Sequence, residues 1–167
     1  TLGGSLAHAD PSADWITTLM ALDAELSIRH GSWSRRLKLL GAMSGPFDIG
    51  LGQGEWIESV RIPVVTPAAG WGYTKIARKT GEFAHAMAAV LHDPDREALR
   101  IVIGATESSP VVLEDKPSSS RTIDIEAIRH RALALLESAG INDPIDNAVR
   151  LTAVERALKK SFQLIAS

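Results

Sequence analysis

Pro63-Val64-Val65-Thr66-Pro67-Ala68-Ala69-Gly70 places two prolines and a glycine in one short stretch of a 167-residue chain. Proline fixes φ and donates no backbone hydrogen bond, so this stretch can sit neither inside a helix nor in the centre of a sheet. It reads as a linker, and it divides the chain into a lobe of residues 1–65 and a lobe of residues 66–167. A chain of this length buries one good core or two small ones.

In the first lobe, Trp15, Ile16, Leu19, Met20 and Leu22 recur at helical spacing after Asp10-Pro11-Ser12, which predicts a short helix over 14–25. Ala24 to Arg29 and Ile57 to Ile62 alternate as half-buried strands do. Leu37 to Gly54, rich in glycine, is expected to be irregular. In the second lobe, strands are expected at Trp71–Lys79, Ala84–Leu91 and Leu99–Ala105, with a turn at His92-Asp93-Pro94-Asp95 between the last two, in an antiparallel meander. Pro110–Leu113 adds a short strand, and Glu114–Ser120 is a polar connection. Ile125 to Ser138 sets Ile125, Ile128, Ala132, Leu135 and Leu136 on one helical face and stops near Gly140. Ala148 to Ile165 does the same with Val149, Val154, Leu158, Phe162 and Ile165. Strands followed by segregated helices predict an α+β fold, with an antiparallel sheet carrying helices on one side.

Composition excludes several classes of function. A formal net charge of -2 with both signs interspersed offers no basic field for nucleic acid or anionic lipid. The chain has no cysteine, hence no disulfide, thiolate metal site or iron–sulfur ligand of its own. Its longest apolar stretches, such as Ala84 to Leu91, are far too short to cross a bilayer. A soluble, cytoplasmic protein is expected.

The segment Thr1-Leu2-Gly3-Gly4-Ser5-Leu6-Ala7-His8-Ala9-Asp10-Pro11-Ser12-Ala13-Asp14 carries the most chemistry. Paired glycines let the backbone turn and approach a ligand, so that consecutive amides can face a diphosphate, with Thr1 and Ser5 adding hydroxyls. A simple turn is the competing reading. His8, Asp10 and Asp14 include good metal ligands. Alternatively, Asp14 caps the next helix while Asp10 orders the turn at Pro11. Lys75 and Lys79 would share one face of a strand, either against an anionic cofactor or against solvent. His30, His85, His92 and His130 lie in unrelated contexts. The chain has no nucleophile elbow, no phosphate loop ending in Gly-Lys-Ser/Thr and no dinucleotide fingerprint; Gly50-Leu51-Gly52-Gln53-Gly54 reads as a loop entering the strand at Ile57.

The string from Thr1 to Asp14, with Leu19-Met20-Ala21-Leu22-Asp23-Ala24-Glu25, resembles the second flavin-binding segment of the FAD-binding medium subunits of carbon monoxide dehydrogenase, xanthine dehydrogenase and related molybdenum hydroxylases. Gly54 to Pro63, Tyr73 to Ala84 and Ile101 to Leu113 continue the resemblance in order, toward the C-terminal portion of such a subunit. Arg150 to Arg156 departs from the family's usual Tyr-Arg pattern. The resemblance implies that Thr1, Gly3, Gly4, Ser5, His8, Asp14, Ile57 and Lys75 contact FAD, with Gly3 and Gly4 against its diphosphate. It assigns no catalytic residue and no metal ligand to this chain.

Family members use an earlier Gly-Gly segment for the other side of the FAD, whereas Gly3-Gly4 is the one such pair here. The expectation is therefore a processed, split or truncated product: either a second polypeptide supplies the missing half, or the product is a fragment that binds FAD weakly or not at all. The implied partners are a large molybdopterin subunit, a small subunit with 2Fe-2S clusters and that complementary chain. The implied function is electron transfer from the clusters through FAD to an external acceptor. A cofactor-free interaction domain that keeps the fold is the alternative, with a metal hydrolase after it.

Overall fold

The computed structural model describes residues 1–116 and 123–163. Its elements run α1 (Leu2–His8), α2 (Asp14–Ala21), β1 (Glu25–His30), β2 (Trp33–Lys38), β3 (Trp56–Arg61), β4 (Gly70–Ile76), β5 (Ala86–Asp93), β6 (Ala98–Gly104), β7 (Val111–Asp115), α3 (Ile125–Ser138) and α4 (Pro144–Gln163), with a 3-10 turn at Pro94–Arg96. The fold is α+β, as expected.

β1, β2 and β3 form an antiparallel sheet in the order β2-β1-β3, with a bulge at Ser27/Ile28. One face is apolar: Leu26 and Ile28 are buried among Leu6, Ile16, Leu19 and Met20 from α1 and α2. The other is solvated and laced with ion pairs, Arg29–Glu58 at 2.6 Å and Arg36–Glu25 at 3.6 Å, as an antiparallel sheet covered on one side permits.

β4 to β7 form the expected meander, in the order β4-β5-β6-β7. Side chains alternate across it. Ala88, Val90, Ile101, Ile103 and Leu113 pack under α3 and α4 with Ile128, Leu136, Val154 and Leu158. Ala89 and Val102 face the opposite way and join the core of the first sheet. β5 is therefore buried along its whole length. α3 and α4 lie on one side as expected, and the far side is covered by α2, which the periodicity of the sheet alone does not foretell.

Two glycines permit this sandwich. A Cβ on Gly72 would lie 1.8 Å from the Ala157 carbonyl oxygen, so α4 rests directly on the backbone of β4. A Cβ on Gly104 would lie 2.0 Å from Thr17 Oγ1, so α2 does the same on β6.

Several local expectations need correction. Thr1–His8 is helical rather than a turn, because Thr1 Oγ1 accepts from the Gly4 amide at 3.1 Å and caps the first turn. β2 was not foreseen, since a charged edge strand with four of its six side chains in water shows weak alternation. β4 stops at Ile76, which leaves Lys79 off the strand and off the face of Lys75. α4 starts at Pro144, with Asp143 accepting from the Ile145 and Asp146 amides at 2.9 Å each. Residues 117–120 of the polar connection and Ile165 lie outside the described residues.

The linker is strapped down rather than loose. Asp93, 1% exposed, accepts from Thr66 Oγ1 at 2.6 Å and from the Thr66 amide at 3.2 Å. Arg96 donates to the Val64 carbonyl at 2.7 Å.

Candidate cofactor site

α1 packs on β3 through its glycine. A Cβ on Gly3 would sit 3.5 Å from the Ile57 carbonyl oxygen and 3.8 Å from the Ile57 Cβ, in ordinary contact, so the lack of a side chain brings the helix close to the strand. Gly4 is exposed, and its Cβ would meet only the Thr1 hydroxyl, at 3.0 Å. The Gly4 amide is engaged by that hydroxyl and the Ser5 amide by the Thr1 carbonyl at 3.0 Å. The Leu2 and Gly3 amides belong to the first turn of the helix that Thr1 caps, a turn whose N–H groups the helix does not satisfy from within. Thr1, Gly3, Gly4, Ser5 and Ile57 thus form one group, with Leu6 anchoring the helix in the core.

The backbone that follows is held from two sides. The Phe47 amide donates to the Ala9 carbonyl at 2.9 Å, and the Ala105 amide donates to the Pro11 carbonyl at 3.0 Å. Asp10 Oδ1 accepts from the Ser12 amide at 2.8 Å, so this aspartate orders the turn as expected. His8 is exposed and its ring lies 5.1 Å from that of Phe47.

Asp14 does not act as the cap. It is the first residue of α2, and its carboxylate reaches across to β4, accepting from the Tyr73 hydroxyl at 2.5 Å and from Lys75 Nζ at 3.2 Å. Burial, and then the Asp14 carboxylate, push the Tyr73 hydroxyl well above the usual phenol range. Asp14 and Lys75, far apart in sequence, are thereby brought together, and Tyr73 joins them. Sequence reasoning passed over Tyr73. Its position two residues before Lys75 on an alternating strand, hence on the same face, was the available signal.

A third group shapes the loop before β3. Arg35 makes a two-pronged contact with Glu55, 2.7 Å on each prong, and donates to the Gly50 carbonyl at 2.7 Å. Glu55 also accepts from the Gly52 amide at 2.7 Å. The Arg35 hydrogen bonds first, and the Gly52 amide next, hold the Glu55 carboxyl down at about 2. Gly50-Leu51-Gly52-Gln53-Gly54 is therefore a fixed loop leading into Ile57.

Of the eight expected residues, five meet at α1 and β3, Asp14 and Lys75 meet at the α2–β4 crossing, and His8 stands beside Phe47. Apart from the backbone of α1, which carries His8, no hydrogen bond or ion pair joins these groups among the described residues. His8, Asp10 and Asp14 do not converge, and no cluster of three or more His, Asp or Glu side chains able to hold a metal occurs among the described residues. No helix among them is long and apolar enough to cross a membrane.

Residues 1–65 match the family described as the FAD binding domain in molybdopterin dehydrogenase. The chain is 27% identical to the glyceraldehyde dehydrogenase medium chain of Sulfolobus acidocaldarius, over 99% of this chain and 61% of the relative. It is 27% identical to the carbon monoxide dehydrogenase medium chain of Hydrogenophaga pseudoflava, over 83% of this chain and 51% of the relative. The chain thus spans between about half and three fifths of the length of these relatives. Its fold superimposes with a TM-score of 0.79 on carbon monoxide dehydrogenase from Hydrogenophaga pseudoflava, in a form lacking the Mo-pyranopterin moiety, at 24% identity over 98% of this chain and 61% of that one.

Proposed function

We propose that this chain, whose residues 1–65 belong to the FAD-binding domain family of molybdopterin dehydrogenases and which is related to their medium subunits, is the FAD-binding electron-transfer subunit, or a part of it, of a molybdenum hydroxylase. The observation that carries the reading is that the family match spans both the α1 segment and Ile57, which the fold sets against each other.

The residues present fit a flavin dinucleotide. Gly4 leaves its side of α1 bare, the Leu2 and Gly3 amides stand in the first turn of α1, and hydroxyls stand at Thr1 and Ser5. In this reading Gly3 and Gly4 lie along the diphosphate, Thr1 and Ser5 donate to it, and Ile57 gives an apolar wall. His8, Asp14 and Lys75 contact the remainder of the dinucleotide, with Tyr73 fixing the Asp14 carboxylate.

When bound, FAD supplies the redox chemistry, and this chain binds, orients and electrostatically tunes it. Electrons arise at a molybdopterin site in a large subunit and arrive through 2Fe-2S clusters in a small one, so hydroxylation is not performed by this chain. The boundary near residue 65 separates the FAD-binding half from the C-terminal unit. A partner chain completes the flavin cleft, and the assembly is cytoplasmic.

The test is intact mass and visible absorbance of the native complex containing this chain. Flavin bands, together with partner chains that include a complementary flavin-binding segment, are expected. A colourless preparation without partners refutes the reading and leaves a cofactor-free interaction domain.

A further inference from the structure

Arg150 is a buried guanidinium without a counter-ion among the described residues. It lies on the inward face of α4 and is 4% exposed. Among the described residues it makes no ion pair: it donates to Asn147 Oδ1 and to the Ala105 carbonyl, both at 3.3 Å, and its Nε has no partner. Arginine stays charged at any ordinary pH, and a buried charge facing only neutral dipoles costs free energy that an apolar side chain would not. Core packing alone does not account for it.

What an apolar residue could not do is hold Ala105. This non-glycine residue sits at φ 55, in the left-handed region, at the corner between β6 and β7. Its carbonyl is taken by Arg150, and its amide is the donor that holds the Pro11 carbonyl at 3.0 Å. On the other side Arg150 is aimed by Asn147, which is 2% exposed and donates through Nδ2 to the Ile141 carbonyl at 2.8 Å, leaving Oδ1 toward the guanidinium. A continuous line of hydrogen bonds thus runs from the start of α4 through Arg150 and Ala105 into the backbone between α1 and α2.

We propose that Arg150 is a positioning residue for the cofactor segment: through Ala105 it sets the Pro11 carbonyl and hence the angle at which the residues on either side, Thr1–His8 and Asp14, present themselves to a bound dinucleotide. The proposal rests on the FAD reading above for its ligand, but its mechanical part stands without it. The contact works across the two lobes, so Arg150 tunes a site that its own side chain does not touch.

The experiment uses Arg150→Met and Arg150→Lys in the native complex, with three readouts: amide exchange across residues 9–14 and 104–109, the melting temperature, and the FAD dissociation constant from flavin fluorescence. For Arg150→Met, exchange at Ala105 and in 9–14 rises at least tenfold, melting falls by no more than about 2 °C because a costly buried charge is removed, and FAD binds about tenfold more weakly. Arg150→Lys, which can still donate to the Ala105 carbonyl, recovers most of both the exchange protection and the affinity. Unchanged exchange at Ala105 overturns the proposal. So does a loss of protection spread evenly over β5 and β6 with a large fall in melting temperature, which marks Arg150 as a structural residue only. If the unaltered complex takes up no FAD, the functional reading fails, and the exchange data still decide whether Arg150 controls the segment. If Arg150→Met does not fold, the Lys variant alone decides: loss of protection at Ala105 without rescue overturns the proposal.

Discussion

Replacing Gly72 by alanine tests the central packing claim, that α4 rests on the bare backbone of β4. The new Cβ would lie 1.8 Å from the Ala157 carbonyl oxygen, 2.8 Å from its carbon and 3.0 Å from the Ser161 amide nitrogen. These are backbone atoms in the C-terminal half of a 20-residue helix, so no rotamer change relieves the contact. α4 must withdraw by more than about 1 Å, and a radial gap of that size forfeits a quarter to a half of each dispersion contact it opens. The interface affected includes Ala88, Val90, Val154, Ala157 and Leu158, all fully buried. Overpacking costs about 1–3 kcal/mol in general, and an immovable neighbour puts this case at about 3 kcal/mol. At about 2–4 °C per kcal/mol for a chain of this size, melting should fall by about 6–12 °C. Thermal unfolding followed by circular dichroism measures it, with Gly104→Ala for comparison, because there the obstructing atoms are the side chains of Thr17 and Met87, which can move. A loss below about 1 kcal/mol for Gly72→Ala, or a larger loss for Gly104→Ala, would refute the reasoning.

Gly4→Ala should separate folding from binding: the new Cβ stands on the bare side of α1 and meets only the Thr1 hydroxyl, at 3.0 Å, so thermal unfolding changes by no more than about 1 kcal/mol, while FAD, measured by fluorescence quenching, binds at least about tenfold more weakly. Tyr73 is the chain's one tyrosine, so an absorbance titration reports it alone. Its raised ionisation means that its contribution to stability is present below the unfolded value of about 10 and is lost as pH rises through the folded value, and Asp14→Asn should lower the midpoint without restoring it fully, because burial is the larger cause. Glu55 is depressed to about 2, so its clamp is present above the unfolded carboxylate range and is lost as pH falls toward 2; exchange at the Gly52 amide should report this, and Arg35→Met should move the loss to higher pH.

The meander and the two closing helices were legible because their side chains repeat at periods of two and 3.6 around one core. α3 was read at its observed bounds, Ile125–Ser138, between a capping Asp124 and Gly140. β2 was not legible, since Trp33, Ser34, Arg36 and Lys38 lie open to water and leave no alternation to count. α1 was missed because two glycines argue for a turn, while the Thr1 cap and the seat of Leu6 in the core outweigh their low helical preference.

The candidate site divides in the same way. The sequence by itself singled out the Thr1–Asp14 string as the candidate, though not its helix, because its glycines, hydroxyls and aspartates are neighbours and their chemistry is local. Only the tertiary structure decided that Asp14 reaches Tyr73 and Lys75 instead of capping α2, that Gly3 meets Ile57, and that Arg150 holds the corner which holds Pro11. Each of these joins residues from separate elements, and which donor a carboxylate finds, or which carbonyl a guanidinium finds, is set by how two sheets and their helices stack, a three-dimensional balance of burial that no local spacing encodes.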